Sequence, residues 1–158
     1  KIVNEISKLT INIPQGTKIT PEHIEQNIGI SKDFNVFELQ NAIGRKDVFK
    51  ANQIINYFAA NPKDNPIIVT LTILFGFFSK LLIYHSLQDK SQGNVASALG
   101  ISPFFVKDYA QFAAFYPIGK VANIIHLIKE FDLKAKGINN NSVQDGALLK
   151  ELVFLILH

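Results

Sequence analysis

"PIIVTLTILFGFFSKLLIYHSL", Pro66–Leu87, is the stretch whose reading decides the fold. It is long enough to span a bilayer, and Lys80 is its one formal charge. Two observations favour a protein interior over a membrane. Lys80 lies well inside the stretch, where insertion scales put the cost of a charge at about 2.5–3.5 kcal/mol. Thr72, Gly76, Ser79, Lys80 and Ser86 also fall near one side at helical spacing, leaving a narrow polar seam. A helix that is apolar nearly all round is at home in the centre of a bundle. The stretch is therefore expected to be the central helix, Ile67–Gln88, of an all-α fold, with no membrane as partner.

Working outward, the flanks read as helices too. Upstream, Asp47 can cap a helix in which Val48, Ala51, Ile54, Ile55 and Phe58 share one face. Asn35 can cap a shorter one, Val36–Ile43, stopped by Gly44. Thr20 and Pro21 open another that ends at Gly29, and Ile2–Leu9 also has helical spacing. Downstream, Ile118–Lys136 places Val121, Ile124, Ile125, Ile128 and Phe131 together, with Gly137 as a stop. "INNNS" reads as a loop, and Ser142 can cap a last helix through "LLKELVFLIL". No alternating apolar and polar run suggests a sheet. The strongest break is "NPKDNP", Asn61–Pro66. It is expected to divide a small bundle, residues 1–62, from a larger one, residues 63–158, and to act as a hinge between them.

Composition narrows the function classes. The 158 residues include no cysteine, which excludes disulfides, thiolate metal sites and cysteine nucleophiles. There is no methionine, and the chain opens mid-pattern, so it is expected to be the C-terminal part of a longer protein. The net charge is +3, and of sixteen lysines and arginines only Arg45 is an arginine. The lysines are interleaved with acids, as in "KDVFK" and "KEFDLKAK", the pattern of solvated helix faces rather than of a polyanion reader.

No catalytic constellation emerges. "GxxxxGK[ST]", "GxSxG" and "HExxH" are missing. His23, His85, His126 and His158 are scattered, and no carboxylates converge, so no catalytic, cofactor-binding or metal-ligating residue is assigned. His85 and His126, within apolar helices, are expected to be satisfied core or boundary histidines. Arg45, in "GRKD", is expected to satisfy helix-end carbonyls rather than to serve a nucleotide.

"VASALGISPFFVKDY", Val95–Tyr109, has the grammar of a helix-turn-helix: a short helix, a Gly-Ile-Ser corner, and a second helix opened by Ser102 and Pro103. A recognition helix needs polar side chains near its N-terminus. This one offers Phe104 and Phe105, and Asp108 carries the wrong sign for phosphate. Six aromatics between Phe104 and Tyr116 exceed what one helix can bury in its own domain. Phe104, Phe105, Tyr109 and Phe112 are accordingly the candidate subunit-interface residues. A helix-turn-helix DNA-binding regulator remains the alternative.

These pieces, in order, resemble a known family. "ITPEHIEQNIGISKDFNVFELQNAIGRKDVFKANQIINYF" supplies three of them, Ile19–Gly29, Phe34–Ile43 and Ala51–Phe58. "NPIIVTLTILFGFFSKLLIY" and "VASALGISPFFVKDYAQFAAFY" follow. The set is similar to the delta subunits of the bacterial DNA polymerase III clamp loader. The resemblance implies an AAA+-type helical lid, residues 1–62, and a helical collar, residues 63–158. It implies a cytoplasmic, non-catalytic role in assembly with the gamma/tau and delta-prime subunits, as part of the DNA polymerase III holoenzyme. The sliding clamp would be met through an N-terminal module that this sequence does not include, and primer-template DNA only in the assembled complex. Many family members carry several collar arginines; here there are none after Arg45.

Overall fold

The computed structural model describes residues 34–138 and 143–158. The helices expected over Ile2–Leu9 and Pro21–Gly29 and the Ser142 cap lie outside the described residues. Among those described there are seven α-helices, one 3-10 turn and no strand.

The first two helices start where side-chain caps dictate. In α1, Val36–Gly44, Asn35 Oδ1 accepts the Phe37 and Glu38 N–H groups at 2.9 and 3.0 Å. In α2, Val48–Ala60, Asp47 Oδ1 accepts the Lys50 N–H at 2.9 Å. Such caps contribute about 1 kcal/mol each. The corner between them departs from expectation. Gly44 is the last residue of α1 rather than a left-handed stop, and Lys46 takes the positive φ, 55°. Gly44 answers a packing need instead: a Cβ there would sit 2.9 Å from Phe112 Cδ1.

The long apolar stretch forms α3, Ile67–Ser86. By length and composition alone this helix could cross a membrane. In the fold, Ile67, Thr70, Leu71, Leu74, Phe77, Phe78 and Leu81 form a buried stripe. The most extensive packing of α3 is with α6, Ile118–Ala135. Of the expected polar seam, Thr72 and Ser86 are exposed, and Gly76, Ser79 and Lys80 are half-buried. Between α3 and α6 lie α4, Gln92–Leu99, a 3-10 turn, Pro103–Phe105, and α5, Val106–Phe115. Gly137, with φ 81°, ends α6, and its N–H donates to the Lys134 carbonyl at 3.0 Å.

The last helix, α7, Asp145–Leu157, lies against α2. Contact is close because Gly146 has no side chain; a Cβ there would come within 2.7 Å of Ala59 Cβ. This bears on the hinge expected at Asn61–Pro66. Within the described residues the helices on both sides of that break share one buried cluster, in which Leu39, Ile54 and Phe58 join Leu74, Phe77, Leu148 and Leu152. The segment is a corner, and α7 returns across the sequence gap to hold α2 in place. Local composition locates the break but carries no information about a contact formed some ninety positions later.

Tyr116 ties three elements together. It is fully buried; its hydroxyl donates to the Ile43 carbonyl at 2.7 Å, and its own carbonyl accepts from His85 Nε2 at 2.7 Å. His85 is thus a satisfied boundary histidine, as expected. Burial pushes the Tyr109 phenol up to about 12 and the Tyr116 phenol higher still. Both folded-state values exceed the ordinary value near 10. The stabilisation from keeping these phenols neutral is therefore complete below about pH 10 and is lost as the pH rises through 12. Far-ultraviolet circular dichroism combined with phenolate absorbance should show two of the four tyrosines ionising only as the helices melt. Tyr116→Phe removes one of them and costs about 1 kcal/mol for the lost hydrogen bond.

Candidate protein-interaction site

The corner between α4 and α5 places the aromatic residues. Gly100 ends α4 in the left-handed conformation, φ 59°. Pro103 then opens the 3-10 turn, and the Ser102 hydroxyl faces the Phe104 N–H at a long 3.4 Å. The second helix of the motif therefore begins as a tighter turn, and its α-helical part starts only at Val106. The tight turn directs Phe104 and Phe105 outward. They are 79% and 49% exposed, and their rings meet edge to face at 5.3 Å.

The other two candidates lie differently. Tyr109 and Phe112 are 6% and 3% exposed. Their ring centres are 5.8 and 5.5 Å from that of Phe77 on α3. Both belong to the packing between α3 and α5. The sequence held a signal for this. Val106, Tyr109, Phe112, Ala113 and Tyr116 recur at helical spacing and form the buried face of this segment. Counting the aromatics without phasing them does not show that Tyr109 and Phe112 belong to this buried face.

Beside Phe105 a groove of about 450 Å³ opens between α1, α3 and α5. Phe37, 65% exposed, stands on its α1 side, and Tyr109 and Phe112 line it from α5. Phe37 is the member that sequence reasoning missed, because its role depends on α1 packing beside α5. Arg45 closes one edge. Its Nε donates to Asn41 Oδ1 at 3.1 Å and its Nη2 to Asp108 Oδ1 at 3.3 Å. The guanidinium thus goes to two side chains rather than to the helix-end carbonyls expected of it. At 49% and 31% side-chain exposure, such a pair contributes under about 1 kcal/mol. The groove mixes aromatic side chains with polar and charged ones, Asn41, Lys80 and Asp108 among them.

Catalytic chemistry has no comparable focus. Among the described residues no three His, Cys, Asp or Glu side chains gather where they could hold a metal ion. His126 lies on the surface, 3.4 Å from Glu130. The turn-helix geometry at the corner is real, but aromatic rings fill the position where a DNA reader presents polar groups, and Asp108 is already engaged by Arg45.

The model of a protein family, the DNA polymerase III delta subunit, C-terminal domain, matches residues 33–154. The chain belongs to this family. The match runs across the Asn61–Pro66 corner, so α1 and α2 fall inside the delta C-terminal domain together with α3 to α7. Among solved structures, the Bacillus subtilis DNA clamp loader delta protein (YqeN) is similar in fold, with a TM-score of 0.70 at 24% sequence identity. The likeness covers 99% of this chain and 45% of that one, so this chain spans less than half the length of the protein it matches. No curated protein sequence matches the chain. The all-α fold implied by the resemblance to delta subunits is the one found, and neither match points to a helix-turn-helix regulator.

Proposed function

We propose that this delta C-terminal domain holds its parent subunit in the clamp loader by packing against the gamma/tau and delta-prime subunits, and that it performs no catalysis. The observation that carries this reading is the exposed Phe104–Phe105 pair, with Phe105 lining a groove that Tyr109 and Phe112, packed against Phe77, also line. Large aromatic side chains with few rotatable bonds are what interface hot spots are made of, since little freedom is lost on docking. A standard stable contact buries about 1,600 Å² in total, and a bundle of this size presents enough surface for one. In this reading residues 63–158 form the collar. The lid ends in α1 and α2, which ride on the collar through α7 instead of swinging about Asn61–Pro66. Contact with the sliding clamp falls to the N-terminal module, and primer-template DNA is met by the assembled cytoplasmic complex.

The test is co-expression of the full-length parent protein with gamma/tau and delta-prime, followed by mass measurement in solution. A single complex containing all three is the expected result. A parent protein that stays apart from them while its C-terminal residues bind duplex DNA with a steep salt dependence would overturn the proposal.

A further inference from the structure

Two lysines meet over one buried ring. Lys46 Nζ lies 5.6 Å, and Lys120 Nζ 5.8 Å, from the centre of the Tyr116 ring. Lys46 comes from the corner between α1 and α2, and Lys120 from the first turn of α6, so the fold brings the two charges together. Neither ammonium pairs with a carboxylate among the described residues. Burial first, and the charge of Lys46 second, draw the Lys120 ammonium below the usual lysine range. Lys120 also sits where the helix dipole disfavours a cation, and no acidic residue stands in that first turn. The face of the Tyr116 ring offsets part of this repulsion. What is missing is an anion. Phe115 and Ile118, just before Lys120 in the chain, are both exposed.

We propose that Lys46 and Lys120 together receive a carboxylate carried on an apolar segment of another protein chain in the clamp loader. The inference rests on the assembly reading above. A protein carboxylate suits the place better than a nucleic-acid backbone. Phosphate tracks are met by several cations along a path, whereas here two converge over a single ring, and the residues just before Lys120 include the exposed apolar Phe115 and Ile118. An interface residue that is strained in the free subunit and relieved on docking leaves a signature: its removal weakens binding without weakening the fold.

The experiment uses the full-length parent protein with gamma/tau and delta-prime, comparing K46Q/K120Q with the unsubstituted chain. Affinity for the partners should fall about tenfold at low ionic strength, and the difference should narrow as salt rises. The midpoint of thermal unfolding should stay the same or increase, since a like-charge contact is gone. K46R/K120R should retain most of the affinity. If the double variant does not fold, K46Q and K120Q are read singly against the same expectation. Unchanged affinity and salt dependence in a complex that forms normally overturn this inference alone. An unsubstituted chain that forms no complex overturns the assembly reading and this inference with it. Loss of primed-DNA binding while assembly is unaffected also overturns it, in favour of a phosphate contact.

Discussion

Phe77→Ala should destabilise the domain by about 3–5 kcal/mol, the range for removing a large buried ring from a close-packed core. Phe77 is 2% exposed and stands where α3 meets α5. Its ring contacts Phe78 at 5.0 Å, Phe112 at 5.5 Å and Tyr109 at 5.8 Å between centres. The cavity left by alanine would be lined by rings that are themselves held by other helices, so collapse into it would be incomplete. Phe77→Leu keeps much of the volume and should cost less, about 1–2 kcal/mol. Denaturant unfolding followed by circular dichroism reads both. Because Tyr109 and Phe112 line the groove beside Phe105, the alanine variant should also loosen the groove. A loss below about 1 kcal/mol would mean that this junction is not packed as described.

The second large effect turns on Gly146. In an ordinary helical position, Gly→Ala stabilises by up to about 1 kcal/mol. At Gly146 the sign should reverse, because the new Cβ would meet Ala59 Cβ at 2.7 Å and Ala59 Cα at 3.0 Å. Neither atom belongs to a flexible side-chain end, so α7 must move away from α2. Gly146→Ala should therefore destabilise, and Gly146→Val should cost about 2–3 kcal/mol, in the range for overpacking. Gly76 supplies the control. It lies inside α3, and a Cβ added there would meet nothing within 4 Å, so Gly76→Ala should stabilise by about 0.5–1 kcal/mol. Melting temperatures of the three variants, measured side by side, decide the point. If both alanine variants stabilise, α2 and α7 do not touch closely, and the joining of the two halves through α7 is wrong.

Local signals were legible in the sequence where a single residue type answers a single backbone need. Asn35 and Asp47 cap as their amide and carboxylate allow, and Gly137 takes the left-handed position that ends α6. The central helix was legible from the one buried-looking charge and the narrow polar seam, and it ends within two residues of the expected point, at Ser86. Contacts between distant elements were not legible. Nothing local to Gly146 says that Ala59 will lie across from it, and nothing local to "NPKDNP" says that the helix before it will be held by the last helix. At the candidate site the composition marked the aromatic corner but not which of its rings are exposed. Phe104 and Phe105 are outward because the 3-10 turn rotates them there, whereas Tyr109 and Phe112 follow the buried phase of α5. Arg45 illustrates the same limit, since its partner Asp108 is sixty-three positions away.

The central claim is that the exposed aromatic corner of this delta C-terminal domain docks onto other clamp-loader subunits. F104A/F105A in the full-length parent protein tests it most directly, with affinity for gamma/tau and delta-prime and the thermal midpoint measured on the same preparation. Both rings are surface groups, so the midpoint should move by no more than about 2 °C, as for a change within about 0.5 kcal/mol. The affinity should fall at least about tenfold, as for loss of a hot spot. Full affinity in a folded double variant would contradict the account.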